Sequence, residues 1–296
     1  RMSSANTFSG DIKITDGRLI MLGGASIANA ASVTVSADGV LNVASGMDTT
    51  VKSLLGAGRI AVNAGNALTI TALTLNTEAF TGTLAGAGDY IFAGSNNSST
   101  FELNKAHAYT GGTTVSKGTL QLNHKDAIAK SSGVTLTGRN TILALNAANN
   151  AEVSIQKLTG ETGSSVTLGT NTLKLTGATG SNTESIFAGD ISGNGGVNLD
   201  SDAVTDSLTL SAANRYTGKT SINKGVLVLQ NGDAIKALSG VEINDDGTLR
   251  LDNSGGKVIS AEIKKLTSST TASTGLVDLG GNNLTITGSD TTQGED

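Results

Sequence analysis

The chain has 296 residues, a formal net charge of −5, and no cysteine, proline or tryptophan. Without cysteine there can be no disulfides or thiolate sites, and the scattered basic residues lack the Lys/Arg stripe that neutralises phosphates, which argues against nucleic acid as a partner. No window holds the run of about 20 apolar residues that spans a bilayer, so direct membrane insertion of this segment is not expected.

The composition predicts an all-β protein. Glycine occurs 39 times and aromatic residues make up only 3% of the chain, beside abundant Thr, Ser, Asn, Val and Leu. These residues favour short strands and tight turns, and the absence of proline leaves strand pairing uninterrupted. The opening RMSSANTFSG lacks the basic and apolar regions of a signal peptide, which indicates a segment excised from a longer protein.

In chain order, a repeated element begins at residues 8, 109 and 216. Between 109–134 and 216–241, 14 of 26 aligned positions are identical, and the copy at residue 8 matches more loosely. The recurring positions are an aromatic anchor, two glycines and one or two leucines: Phe8, Gly10, Gly17 and Leu19; Tyr109, Gly111, Gly118, Leu120 and Leu122; Tyr216, Gly218, Gly225, Leu227 and Leu229.

Each repeated element is followed by segments that alternate apolar and polar residues. The first set is VTVSADGVLNV (33–43), VTLTGRNTILAL (134–145) and VEINDDGTLRL (241–251), and the second is NALTI (66–70), NTLKLTG (171–177) and NNLTITG (282–288). Alternation broken by Gly, Asn or Asp predicts short strands with one buried face, joined at a tight turn or a corner.

Repeats of about 100 residues are too long for one turn of a solenoid and fit four or five turns of about 20 to 25 residues. We therefore predict one continuous parallel β-helix over 1–296, with about 12 to 14 turns in all. Its repeat units are 6–106, 107–213 and 214–296, the last incomplete. A string of β-sandwich domains is the competing interpretation, but it predicts linkers and an aromatic core in each unit.

The repeated glycines are expected at corners that require a positive φ or close backbone approach. Leu120 and Leu122 are expected to point inward, and Tyr109 to cover a corner. The alternative for Tyr109, Tyr216 and Phe8 is stacking against a sugar ring.

The stretches YTGGTTVSKGTLQL (109–122) and YTGKTSINKGVLVL (216–229) resemble the passenger-associated transport repeat of bacterial autotransporters, the type V secreted proteins. The copy at Phe8 departs from this pattern, with Ser in place of Thr at position 9. The resemblance implies a right-handed β-helical passenger displayed outside the outer membrane, attached to its translocator or released from it.

Histidines offer little for catalysis or metal binding. The chain has only His107 and His124. Both are interpreted as surface residues, because the copy at 216 has Asn214 where the middle copy has His107. No catalytic, metal-binding or cofactor-binding residue is predicted, and no cofactor is expected.

Two groups of carboxylates were weighed against an enzymatic or calcium-binding role. The pair Asp245 and Asp246 lies in the stretch NDDG, which is typical of a tight turn between two strands. The other group is an acidic trio in a Gly-rich region that fails the nonapeptide spacing of calcium-binding repeats: Asp200, Asp202 and Asp206.

The sequence therefore favours a non-enzymatic passenger segment, extracellular at the bacterial surface or secreted, that acts in adhesion or as the stalk of an adhesin. Expected partners are a host-cell surface protein or glycan, or other copies of the rod. The alternative is a carbohydrate-active enzyme, a lyase or glycosidase, on the same β-helix. A further role, in assembly, follows if each repeat helps the passenger fold stepwise during secretion.

Overall fold

The fold was analysed in a computed structural model that describes residues 1–23, 25–44, 46, 48–71, 80–148, 150–178, 182–235, 240–268 and 274–288. All regular structure in these ranges is β-strand. The all-β prediction is confirmed. Within the described ranges the chain has no helix with the length and hydropathy needed to cross a membrane.

The strands are short and follow one another closely along the chain. The first are β1 (Ile12–Met21), β2 (Val33–Val43), β3 (Thr49–Val51), β4 (Leu54–Leu55), β5 (Arg59–Val62), β6 (Ala67–Ile70), β7 (Thr83–Gly86), β8 (Asp89–Ala93) and β9 (Thr100–Leu103). Next come β10 (Thr113–Leu122), β11 (Val134–Leu136), β12 (Thr141–Leu145), β13 (Glu152–Ile155), β14 (Leu158–Gly160), β15 (Ser165–Thr167), β16 (Thr172–Leu175), β17 (Glu184–Phe187), β18 (Asp190–Gly193), β19 (Val197–Asp200) and β20 (Ser207–Leu210). The last are β21 (Arg215–Tyr216), β22 (Thr220–Leu229), β23 (Val241–Leu251), β24 (Ser260–Ile263), β25 (Leu266–Thr267), β26 (Leu276–Asp278) and β27 (Asn283–Ile286).

Strand pairing is parallel throughout the described residues, and each strand pairs with the strand one turn later. The offset ranges from 19 residues, between Val40 and Arg59, to 28 residues, between Thr248 and Leu276. Parallel pairing at such offsets is the geometry of a solenoid, because the chain must circle once before it meets itself.

The solenoid has about 11 turns. The prediction of about 12 to 14 turns rested on about 20 to 25 residues per turn, and several turns are longer. Gly160, for example, pairs with Phe187, 27 residues later. The parallel β-helix prediction is confirmed, with fewer and longer turns than expected.

Three columns of stacked strands form most of the wall of the solenoid. The first column is β3, β6, β8, β10, β11, β14, β17, β20, β22, β23 and β26. The second is β9, β10, β12, β15, β18 and β21. The third is β13, β16, β19, β22, β23 and β25.

The long strands bend at a corner and contribute to two columns. The first half of β10, at Thr113–Val115, pairs in the first column, and its second half, at Gly118–Leu122, pairs in the second. β22 and β23 bend in the same way, with a register irregularity near Lys224. The predicted tight turn of the NDDG stretch is therefore a bend inside the continuous strand β23. Each repeated motif forms one such bent strand.

The interior follows from the alternation of residues along each strand. In β10, Val115, Leu120 and Leu122 are fully buried, while the residues between them are partly or wholly exposed. Apolar side chains from every turn form one continuous buried cluster along the axis. Small and medium side chains fill it, because parallel strands stacked at about 4.8 Å leave narrow layers.

Candidate functional site

The repeated motif places its second glycine at the corner of the bent strand. Gly17, Gly118 and Gly225 have φ values of 71°, 87° and 106°. In this left-handed region a side chain is disfavoured, so glycine lets the strand turn from one column into the next. The leucines that follow point inward: Leu120, Leu122, Leu227 and Leu229 are buried, and Leu19 is half-buried against the core.

The first glycine of the motif is a point of close approach between turns. A Cβ atom added to Gly111 would overlap the carbonyl oxygen of Gly88, and one added to Gly218 would overlap that of Gly195. At Gly10, by contrast, the added atom meets nothing within 4 Å. The first copy of the motif therefore lies in a more open part of the solenoid.

The aromatic anchors of the two later copies lie inside the solenoid. Tyr109 and Tyr216 are 1% and 2% exposed. The Tyr109 hydroxyl lies 2.6 Å from Oγ1 of Thr113, which is 2.8 Å from the Ser131 hydroxyl. Burial raises the pKa of both tyrosines, to about 12 for Tyr216. Neither ring can stack on an external sugar, so that alternative is wrong for these two residues.

Phe8 differs from the other two anchors. It is 39% exposed, and the position four residues later is Ile12, where the later copies have threonine. The hydroxyl of the anchor and the hydroxyl of its partner are thus absent together. An apolar pair is compatible with this environment because neither member leaves a buried polar group without a partner.

His107 is buried, and the surface interpretation is wrong for it. Its side chain is 5% exposed, and Nδ1 accepts a hydrogen bond of 3.1 Å from the Leu84 N–H one turn earlier. Nε2 is buried and has no hydrogen-bond partner among the described residues. Burial, with smaller contributions from Lys105 and His124, lowers the pKa of His107 to about 4. His124 is half-buried, and its Nδ1 accepts from the Asp126 N–H.

The asparagine that replaces His107 in the next copy makes the same contact. Asn214 Oδ1 accepts a 2.7 Å hydrogen bond from the Ile191 N–H, again 23 residues earlier, and its Nδ2 donates to the Ala234 carbonyl at 2.9 Å. Both side chains occupy the end of a column and take up a backbone donor that strand pairing does not satisfy. The sequence alignment paired the two residues but gave no sign that they are buried.

Asparagines also begin the second set of aligned segments. Asn66, Asn171 and Asn282 are 3%, 3% and 6% exposed. Asn282 accepts from the Ile259 N–H at 2.8 Å and donates to the Leu251 carbonyl at 3.0 Å. Asn171 bonds the Ala151 N–H and the Leu145 carbonyl in the same way. These amides join neighbouring turns where the backbone leaves a strand.

The acidic trio does not assemble into one site. Asp206 is 1% exposed, and its carboxylate accepts from the Thr183 N–H at 2.5 Å and from the Ala203 N–H at 3.3 Å. Asp200 forms a 2.7 Å ion pair with Lys174, and Asp202 is exposed. In the described part of the chain, no group of three or more His, Cys, Asp or Glu side chains could hold a metal ion.

The other acidic pair is also part of the strand framework. Asp246 is exposed on β23, where it pairs with Lys224 in the ladder. The side chain of Asp245 lies outside the described residues. The chemistry on the page is therefore that of a scaffold, in which buried polar groups join turns and glycines shape corners.

A stacked parallel solenoid with this recurring bent-strand motif defines a secreted passenger. A family model for the passenger-associated transport repeat matches residues 83–122 and 205–229. The chain is a passenger segment of an autotransporter.

Among curated proteins, the chain is 30% identical over 251 residues to the adhesin BmaC autotransporter of Brucella suis biovar 1 (strain 1330). The aligned region covers 80% of this chain but only 7% of that adhesin. No solved structure matches the chain.

Proposed function

We propose that this segment acts in adhesion, within a passenger that is displayed on the bacterial surface or released from it. The observation that carries the proposal is the similarity to an autotransporter adhesin along 80% of the chain. The solenoid supports it physically, because a rigid stack of turns presents a long, polar outer wall at a distance from its point of attachment. The proposed partners are a protein or glycan of a host-cell surface, or other copies of the rod.

We propose further that the role is not enzymatic. The carboxylates weighed for catalysis have structural partners: Asp206 holds backbone N–H groups and Asp200 pairs with Lys174. The motif residues are likewise proposed to act in the scaffold, since they form corners and the interior. The predicted units 6–106, 107–213 and 214–296 are proposed to form one continuous solenoid.

The test of adhesion uses the purified chain coupled to beads and offered to cultured mammalian cells. Attachment that saturates and exceeds that of beads carrying an unrelated β-solenoid supports the proposal. The same chain after heat unfolding is the matched control for non-specific adsorption. Attachment no greater than either control contradicts an adhesive role for this segment.

Two further measurements test the finer proposals. Sedimentation of the free chain over a range of concentrations detects association between copies, which would make the partner a second rod. Incubation with a panel of polysaccharides, read by release of reducing ends, should show no turnover. Limited proteolysis should give no accumulation of fragments cut at 106/107 or 213/214, as separate domains would.

A further inference from the structure

The outward side of the third column carries a polar groove of about 450 Å³. The ladder places Lys174, Asn198, Ser221 and Glu242 opposite one another on four successive turns. Each step along this row is about 4.8 Å, so the row extends for about 14 Å parallel to the axis. The groove thus offers one polar position per turn to an elongated ligand.

Amide side chains beside this row form a directional hydrogen-bond chain. Asn244 Nδ2 donates to Asn223 Oδ1 at 2.6 Å, Asn223 Nδ2 donates to Asn198 Oδ1 at 3.2 Å, and Asn198 Nδ2 donates to Glu152. A primary amide has two N–H groups and a carbonyl oxygen with two lone pairs. The chain of amides orients Asn223 while using one N–H and one lone pair, which leaves one of each for a ligand.

The charges around the groove are compensated within the protein. Lys219 Nζ lies 3.0 Å from Glu242, and Lys174 lies 2.7 Å from Asp200 and 3.8 Å from Glu152. The hydrogen bond from Lys219 is the main cause of the lowered pKa of Glu242. Since each of these charges already has a partner of opposite sign, the groove favours an uncharged polar ligand over an ionic one.

Glycines keep the floor of the groove low. Gly195, Gly196 and Gly218 line it, and a Cβ atom on any of the three would overlap backbone of an adjacent turn. A ligand can therefore lie close to the backbone along this wall. No aromatic side chain is among the residues that line the groove, so hydrogen bonds must supply most of the binding.

We propose that this groove binds a linear, uncharged oligosaccharide of hexopyranose units, laid along the axis of the solenoid. The proposal rests on the adhesive function proposed above and assigns it a surface and a ligand class. A hexopyranose unit linked across its ring is nearly as long as the rise of one turn, so its hydroxyl groups can stay in step with the row. An extended peptide repeats its side chains every two residues, about 6.8 Å, and would fall out of step within two turns.

The probes are cellotetraose and maltotetraose as uncharged linear ligands, with a heparin tetrasaccharide as the charged comparison. Binding to the full 296-residue chain is measured by saturation-transfer NMR and by titration of backbone amide shifts. Because each hydrogen bond contributes little net free energy, we expect a dissociation constant of about 1 mM for one of the uncharged ligands. The shifted amides should lie on β19, β22 and β23.

Two variants and one control identify the site. Asn223→Ala removes the oriented amide, and Ser221→Trp fills the groove without removing any amide; each should weaken binding at least about tenfold. Asn123→Ala is the matched control, because Asn123 belongs to a similar outward amide chain, with Asn146 and Asn104, that does not line this groove. Its binding should equal that of the unmodified chain.

The proposal is overturned if neither uncharged ligand binds, if heparin binds more tightly than both, or if Ser221→Trp leaves binding unchanged. A peptide ligand that shifts the same amides while the saccharides do not would also overturn it. The cell-attachment assay is read separately with Ser221→Trp. If attachment persists in that variant, adhesion itself stands and uses another face; if the unmodified chain does not attach, the adhesive function fails whatever the saccharide result.

Discussion

The hydroxyl of Tyr216 lies 2.7 Å from Oγ1 of Thr220, and both side chains are buried inside the solenoid. The pair Tyr109 and Thr113 repeats this contact one motif earlier, at 2.6 Å. In the first copy the corresponding residues are Phe8 and Ile12, which have no hydroxyl groups. The motif thus carries the two hydroxyls as a unit, as expected where a lone buried hydroxyl is unfavourable.

Removing one hydroxyl of this pair should cost more than removing both. Tyr216→Phe is expected to lower the free energy of unfolding by about 1 to 2 kcal/mol, because Thr220 Oγ1 then lacks its partner. Adding Thr220→Val should restore most of that loss, since the apolar pair has nearly the same shape. The measurement is urea unfolding of the four proteins of the double-mutant cycle. Strictly additive losses would show that the two hydroxyls do not depend on each other.

His107 should make the solenoid sensitive to acid. Its pKa of about 4 in the folded chain lies below the unfolded value of about 6.5, so the unfolded chain takes up the proton first. The stability due to neutral His107 is complete above about pH 6.5 and is lost as the pH falls toward about 4. The full effect is about 3 kcal/mol.

The variant that tests this pH dependence is His107→Asn, which copies the contact made by Asn214 in the next motif. It should reduce the loss of unfolding free energy between about pH 6.5 and 4 that His107 contributes. His124→Asn is the matched control, because His124 is only half-buried. An unchanged pH slope in His107→Asn would contradict the assignment of the acid sensitivity to this residue.

The first glycine of the motif offers a direct comparison of crowded and open positions. Gly111→Ala should lower the melting temperature strongly and reduce the free energy of unfolding by about 2 kcal/mol or more, because the new methyl group overlaps the Gly88 carbonyl. Gly10→Ala places the same methyl group in open space and should change stability by less than about 0.5 kcal/mol. Equal losses in the two variants would mean that backbone entropy, not contact between turns, sets the requirement for glycine.

The buried asparagines should be more costly to lose than exposed ones. Asn214→Ala leaves the Ile191 N–H and the Ala234 carbonyl without their side-chain partner, and we expect a loss of about 2 to 3 kcal/mol in unfolding free energy. Hydrogen exchange of the Ile191 amide should accelerate in the same variant. Asn231→Ala is the control, since Asn231 bonds only locally, to the Asp233 N–H, in the described structure. Similar losses at both positions would refute a structural role specific to Asn214.

Much of the architecture could be predicted from the sequence, because its signals are local and recur. Alternation in segments such as 33–43 and 241–251 marks strands with one buried face, and the spacing of Gly118 and Gly225 marks corners. The absence of proline permits unbroken ladders. These properties require only the strand period and backbone sterics, so a single sequence is sufficient to identify a parallel solenoid with inward leucines.

The environment of the polar residues could not be predicted in the same way. His107 and Asn214 precede the motif strands, outside any alternating segment, and period-two reasoning assigns no face to such residues. The hydroxyl of Tyr109 gave no indication that Thr113 and Ser131 would surround it. Asp206, considered as a calcium ligand, is instead a buried acceptor of backbone N–H groups.

By itself, the sequence determined the fold class, the repeat, the corner glycines and the apolar interior, because each is written in the spacing of neighbouring residues. The tertiary structure alone decided that His107, Asn214 and Asp206 are internal, that the solenoid has about 11 turns, and that Asn198, Asn223 and Asn244 form one chain. Those features depend on contacts between residues about 20 to 28 positions apart. Local pattern does not encode such contacts, since the offset between stacked turns changes with the length of each connecting segment.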